Sequence, residues 1–562
     1  MKIGKIMMLV LLAGVLLVAA GTANATTTIN IYGCSAQFFL WSSMNSGNPS
    51  AGTPNFLADT AANGGAACSS VTWAYDSAGT NYFWASGTGC SNPNIVGDGS
   101  GNIVISVAYK TSNDAIWSVN GVEDPENTSG SSFCAAVGGL YTQRKLASGT
   151  VSGTCNSGSC TGTSCTSGTT ACTNTATCQT VTLGASDEKA DFFTQVSWGN
   201  KYGVYYTTSN PVICREFGPS GTTCINGTTP AEPAPSDVNL AWYNPIADPT
   251  AFYVNKAVTE YTCVGGTNAG DMCNPSDSPA DCGGGGTCTQ ATITNISRMM
   301  AAQIFTGQAK NWSDLGGGFT SIPIWACMRH TGAGTNITFD YAVLGHDHTW
   351  LPQGAVMLNE DSIQKNTGAE NVYFYDTITS QLACVNGEIS SGTYNSTGSA
   401  IGAIGYTDAD RSTAIGSGTS LPNVVMLNYN GILPSRRNVR NGVYDFWSKN
   451  YLYFSPTAAN CPPSYPGCST TGTNFTVFDA LTRYASNPAM ITALPTGKGN
   501  FWAAIGTGTG VPTQTNYSCN PTSSSCPTPP AIPTGEMYYM KAGADILPGP
   551  VTGNNPNNPQ NP

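Results

Sequence analysis

Charged side chains are scarce in this sequence. They make up 9% of its 562 residues, where soluble domains average roughly 25%. Basic residues are the scarcer sign, 21 Lys and Arg against 32 Asp and Glu, for a formal net charge of −11. That balance argues against a nucleic-acid partner, because phosphate backbones are held through Lys and Arg and the counterions they release. There are three histidines, which leaves little room for a Ser-His-Asp triad around Ser35 or Ser77. No Cys-x-x-Cys occurs, so zinc ribbons, thioredoxin-like redox motifs and haem attachment lack their signature. No apolar run reaches the ~20 residues of a membrane-spanning helix.

What is plentiful points outside the cytosol. The chain holds 21 Cys, 65 Gly and 34 Pro, yet 40% of it is hydrophobic and 10% aromatic. A sizeable core is therefore affordable, and the length predicts more than one lobe, since single cores stop growing near ~250–300 residues. Lys2 and Lys5, the apolar stretch Met7 to Ala20 and the small-x-small triplet Ala23-Asn24-Ala25 predict a cleavable signal peptide over 1–25. The first cysteine is Cys34, so no lipoprotein anchor is expected, and the destination is the periplasm or the cell exterior. Cysteines there pair as disulfides. Cys214/Cys224, Cys461/Cys468 and Cys519/Cys526 are neighbours in sequence, and Cys263, Cys273, Cys282 and Cys288 resemble a two-disulfide knob. Connectivity stays open, and an odd total leaves at least one thiol free or paired between molecules.

Segments with strand or helix periodicity alternate with low-complexity insertions. Thr28 to Tyr32, Val71 to Tyr75, Ile103 to Tyr109, Phe252 to Val254 and Ile322 to Ala326 read as strands. Ser297 is placed to cap a helix carrying Met300 and Ile304 that ends near Gly307. Ile337, Tyr341 and Leu344 are spaced for one helix face. Cys155 to Cys178 reads as loop, and the Pro/Asn/Gly tail 548–562 as disordered. The interleaving predicts an α/β fold.

One segment has the chemistry of a site. A strand, Arg329, then Gly332-Ala333-Gly334-Thr335 and a helix combine close backbone approach, unpaired helix N–H groups and a forked cation. That suits an oxyanion. With Ile293 to Gly307 and Asn311-Trp312-Ser313-Asp314 before it, this segment resembles the phosphate-binding proteins of ABC transporters, including the DING-type proteins. Tyr32-Gly33-Cys34-Ser35-Ala36-Gln37-Phe38 resembles the first ligand loop of that family. Gly184-Ala185-Ser186-Asp187, Gly402-Ala403-Ile404-Gly405-Tyr406 and Asn441-Gly442-Val443-Tyr444 resemble three later motifs in the same order.

The resemblance implies a two-lobed type II periplasmic-binding-protein fold, with crossing strands and disulfide-stapled loop insertions. Lobe one would span 26–249 with an insertion over about 86–180. Lobe two would span 250–410 with a Cys-rich insertion over about 263–290, and 411–547 would return to lobe one. The ligand, inorganic phosphate or a similar oxyanion, would be caught by hinge closure and presented to an ABC permease. Gln37, Phe38 and Ser77 would supply donors from lobe one, and Asp187 a carboxylate that accepts from a protonated oxyanion and repels a fully deprotonated one. Arg329, Ala333, Gly334 and Thr335 would bind from lobe two. A monomer without cofactor, metal or catalytic residue is expected.

Departures from the family pattern leave rivals open. Gln37 replaces a hydroxyl residue, and Thr331 and Ala333 replace Asp and Ser. One rival is an extracellular or surface structural protein that keeps the fold without tight binding, and another is a DING-type phosphatase. Residue by residue, Asp187 also reads as a helix N-cap before Glu188-Lys189-Ala190. His346-Asp347-His348 reads as a solvated turn, Phe38-Phe39-Trp41 as core, and Arg436, Arg437 and Arg440 as a solvated face.

Overall fold

The computed structural model describes residues 26–75, 82–96, 101–109, 112–120, 143–145, 178–193, 204–206, 211–213, 240–329, 333–345, 372–375, 377–388, 400–457, 460, 471–505, 518–519, 536–537, 539–540 and 549–550. Residues 1–25, expected as a signal peptide, lie outside them, with Ser77, His330 to Gly332, His346-Asp347-His348, the cysteines of the expected pairs Cys214/Cys224 and Cys461/Cys468, and Cys526.

Alternating and β-branched segments pair into two large sheets, with helices between the strands. In chain order the strands are β1 (Thr26–Gly33), β2 (Cys68–Tyr75), β3 (Tyr82–Cys90), β4 (Gly101–Tyr109), β5 (Leu183–Ser186), β6 (Ala241–Tyr243), β7 (Ile246–Asn255), β8 (Trp325–Arg329), β9 (Val372–Tyr375), β10 (Ala403–Asp408), β11 (Val424–Met426), β12 (Trp447–Lys449), β13 (Tyr451–Phe454), β14 (Ala503–Ala504) and β15 (Ser518–Cys519). Sheet one runs β2-β3-β4-β1-β5-β13-β6-β15, and sheet two runs β9-β8-β10-β7-β11 with β12 and β14 also on β7. Each contains the same local order: three parallel strands, the second beside the first beside the third, then an antiparallel strand out of sequence. This is a two-lobed α/β fold.

The chain crosses between the sheets four times, the last two out to β14 and back to β15. It leaves sheet one after Tyr243 and returns between Lys449 and Tyr451. The first two crossings touch, with Asn244 Nδ2 donating to Asn450 O at 3.1 Å and the Asn450 N–H to Ile246 O at 3.0 Å. The return thus falls near residue 450 rather than 411, because β11 and β12 still pair with β7. The expected insertion over 86–180 also begins later: β4 and β1 share a full register from Thr26↔Asn102 to Gly33↔Tyr109.

Other local expectations meet particular outcomes. Ser297 caps the helix Arg298–Phe305 by accepting from the Met300 N–H at 3.1 Å. The strand expected over Ile322 to Ala326 lies three residues later, as β8, because Ile322 and Ile324 bond into the turn around Lys310 and Trp312. The knob is a hairpin, Thr259–Val264 against Thr287–Thr292, with disulfides Cys263–Cys282 and Cys273–Cys288. Two further disulfides, Cys68–Cys90 and Cys327–Cys384, join segments far apart in sequence. The tail expected as disordered from Pro548 starts with Gly549–Pro550 paired to Tyr539–Met540. Arg436 and Arg440 are not a solvated face, since both pair with the buried Glu536 carboxylate, Arg436 at 2.8 Å. Among the described residues no helix is long and apolar enough to cross a membrane.

Candidate functional site

The parallel strands set the site. β1, β4 and β5 of sheet one end at Gly33, Tyr109 and Ser186, and β8 and β10 of sheet two end at Arg329 and Asp408. In open α/β sheets the crevice beyond these carboxyl ends is where ligands are held. Here the two sets of ends face each other.

On the side of sheet one, Gly33 lies flat on Ala185. A β-carbon there would sit 2.0 Å from Ala185 O, so only glycine lets the first loop approach this closely. The following Cys34 N–H donates to Ala185 O at 2.9 Å, and helix α1 (Ser35–Ser43) begins at once. Asp187, two residues beyond Ala185, is 3% exposed, and its Oδ1 has no hydrogen-bond partner. Its N–H donates to Ser112 Oγ at 3.2 Å, at the start of helix α2 (Ser112–Asn120). Asp187 is not a helix cap: the short helix after it begins only at Ala190, and the Ala190 N–H goes to the Tyr453 hydroxyl at 3.0 Å. A carboxylate oxygen left bare in the interior is a place where a ligand donor is missing.

On the side of sheet two, Arg329 is 2% exposed. It donates through Nε to Tyr375 O and through Nη2 to the Tyr109 hydroxyl, each at 3.2 Å. The second bond reaches across to sheet one. Helix α3 (Gly334–Phe339) starts at Ala333 and runs on as one π-helical turn through Leu344. Thr335 is 3% exposed, and its Oγ1 also lacks a partner. Thr338 Oγ1 donates to Glu188 Oε1 at 2.9 Å, and Tyr341 stacks on Phe192. The lobes are therefore in contact around Asp187, Gly334 and Arg329.

Electrostatics single out the same group. Burial pushes the Asp187 carboxyl up to about 6, while a hydrogen bond from Cys34 and the Arg329 charge pull it down. The Cys34 thiol is driven well above its ordinary value by burial first and by Asp187 second. Asp408, at the end of β10, is pushed up to about 8 by burial, Asp187 and Asp410, against Arg411 and Arg329. Asp248 on β7 is raised in the same way. Two neighbouring buried carboxyls repel, so both are held above the ordinary carboxylate range and take up a proton as a pair.

Of the residues expected at the site, Asp187, Arg329, Ala333, Gly334 and Thr335 come together. Gln37 and Phe38 do not offer their donors. Gln37 Nε2 donates to Ser186 O at 2.8 Å and Tyr451 O at 2.9 Å, while its Oε1 accepts from Trp41 Nε1. A glutamine is long enough to reach the sheet that a threonine would not. The Phe38 N–H is spent on Cys34 O inside α1. Phe38 and Trp41 are core, but Phe39 is flanked by Arg411 at 3.7 Å and Lys498 at 4.3 Å from its ring centre. Sequence reasoning passed over Cys34, Ser112 and Asp408. Asp408 stands two residues after the Gly402-to-Tyr406 motif, and Cys34 lies inside the first-loop motif; neither has a spacing that announces a role.

No protein-family model and no curated protein matches the chain. Among solved structures it is similar in part to several phosphate-binding proteins. It overlaps the DING protein crystal structure at 14% identity over 57% of this chain and 78% of that one, with a TM-score of 0.29. The phosphate-binding protein from Stenotrophomonas maltophilia overlaps at 13% identity over 55% and 70%, with a TM-score of 0.28. For an ABC-type phosphate transport receptor from Vibrio cholerae the identity is 13%, the chain spans 64% of that receptor and 40% of itself is covered, and the TM-score is 0.24.

Proposed function

We propose that this protein is an exported solute-binding protein that captures phosphate, or an oxyanion like it, between its two lobes. The observation that carries this reading is the pair of buried, unpartnered oxygens, Asp187 Oδ1 and Thr335 Oγ1, beside the Arg329 guanidinium where the lobes meet. A phosphate that keeps one proton donates to Asp187 and accepts from Thr335 and Arg329, whereas sulfate has no proton to give. The chain's formal charge of −11 repels an anion, so short-range donors rather than the overall charge hold it. Presentation to an ABC permease, as a monomer, follows from the same reading.

Binding rather than catalysis is proposed because the one thiol at the site is held protonated, and the thiolate is the nucleophilic form. Isothermal titration of the purified protein tests the reading directly. Heat with phosphate, lost in Arg329→Ala and far weaker with sulfate, supports it. No heat with phosphate, arsenate or sulfate overturns it. That second result favours the structural rival, whose supporting observation is the use of Gln37 and Phe38 donors by the fold. Turnover of a phosphomonoester, lost on a site substitution, would instead promote the phosphatase.

A further inference from the structure

Arg329 is held from both lobes. Within its own, Nε donates to Tyr375 O at 3.2 Å, and the two residues are register partners on β8 and β9. From the other, the Tyr109 hydroxyl accepts from Nη2 at 3.2 Å. Tyr109 is the last residue of β4 and stands opposite Gly33 on β1. Its backbone is fixed there, because β1 lies between β4 and β5 and Gly33 leaves no room for a β-carbon against Ala185. The acceptor therefore reaches the guanidinium from a rigid strand end. It is also a neutral acceptor. A carboxylate in its place would offset the charge of Arg329. A hydroxyl fixes the direction of one N–H and leaves that charge for the anion.

We propose that Tyr109 is a positioning residue for anion binding: its hydroxyl aims the Arg329 guanidinium across the lobe boundary, so that this cation is fully oriented when the lobes meet. The proposal rests on the anion-binding reading above. Arginine presents its donors in a planar, rigid fork. Bonds at Nε and Nη2 together define that plane, and losing either loosens it. When the lobes part, Nη2 leaves Tyr109 behind, while Nε keeps its bond to Tyr375 within the same sheet. Capture then meets an Arg329 that is charged but loosely aimed. Closure restores the aim around the enclosed anion. Tyr109 thereby acts on how long the anion stays rather than on how fast it arrives.

The test uses the full chain, with inorganic phosphate as the probe. Fluorotyrosine incorporated in place of Tyr109 reads the contact by fluorine NMR and needs no ligand. Arg329→Gln should displace its resonance. A resonance at the same position with and without Arg329 overturns the inference whether or not phosphate binds. Tyr109→Phe, checked for folding by thermal melting, then reads the role in stopped-flow kinetics. Phosphate should leave about ten times faster, the order expected for loss of a hydrogen bond to a charged group, with association within about two-fold of wild type. Both rates unchanged in Tyr109→Phe overturns the positioning role, and so does slower association with unchanged release. A protein that shows the fluorine displacement but gives no heat with phosphate, arsenate or sulfate overturns the functional reading instead, and the role of Tyr109 falls with it.

Discussion

Gly334 and Asp187 touch across the two lobes. A β-carbon on Gly334 would lie 2.5 Å from Asp187 Cβ, 2.9 Å from its Oδ2 and 2.6 Å from Ser112 Oγ. The glycine is thus the point at which one lobe seats against the other, and the requirement is one of space, not of backbone conformation. Gly334→Ala should leave each lobe intact, since alanine suits the first turn of a helix. It should hold the lobes apart and abolish phosphate heat in calorimetry. Small-angle scattering should show a larger radius of gyration than wild type; equal radii and equal affinity would sink the idea.

Gln37 has a different job from the one its place in the motif suggests. Its amide bridges Ser186 at the end of β5 and Tyr451 at the start of β13, neighbouring strands of sheet one. Gln37→Ala strands two buried carbonyls and the Trp41 indole N–H. We expect a loss of about 2–4 kcal/mol in urea unfolding. A change below ~0.5 kcal/mol, within the range of ordinary surface substitutions, would show these bonds to be replaceable.

Asp408 makes stability depend on pH. Its folded value of about 8 lies above the unfolded carboxyl value of about 3.9. Such a group favours the fold fully below the unfolded value, and that contribution is lost as pH rises toward the folded one. Asp187 and Asp248 act with the same sign. The melting temperature should therefore fall between pH 5 and pH 8. Asp408→Asn should flatten that fall, gaining on wild type at pH 8 relative to pH 5. Parallel curves for the two proteins would contradict the assignment.

The Cys327–Cys384 disulfide ties β8, the strand that delivers Arg329, to the helix Ile378–Val385. Both sulfurs are buried. Replacing both cysteines by serine should cost about 2–5 kcal/mol and weaken phosphate binding through displacement of Arg329. Denaturation and calorimetry on the same preparation check the two effects together. Binding that persists at wild-type strength would show that β8 is held without the staple.

Much of this arrangement was legible in the residues. The strand ending at Gly33, the Ser297 cap and the four-cysteine knob each rest on local chemistry, and local chemistry is what a sequence displays. The grouping of Asp187 with Arg329 and Gly334 came through family resemblance, because residues so far apart in sequence carry no local sign of contact. Gln37 misled for the same reason: its partners at Ser186 and Tyr451 are defined by sheet order, and nothing near it in sequence says that its amide is occupied. Cys327–Cys384 and the pairing of Arg436 with Glu536 were hidden likewise. The late return to sheet one escaped because short strands such as Val424–Met426 and Trp447–Lys449 have too few residues to show a period.

The bond between Asn244 and Asn450 has a mechanical meaning. Two crossings fastened side by side act as a single flexure with width. Such a flexure bends more readily about the line through both straps than it twists. On the hinge-closing reading proposed above, opening would follow one arc, along which Gly334 leaves Asp187 and returns to the same seat. A protein tethered by one strap would have to search for that register at every closure.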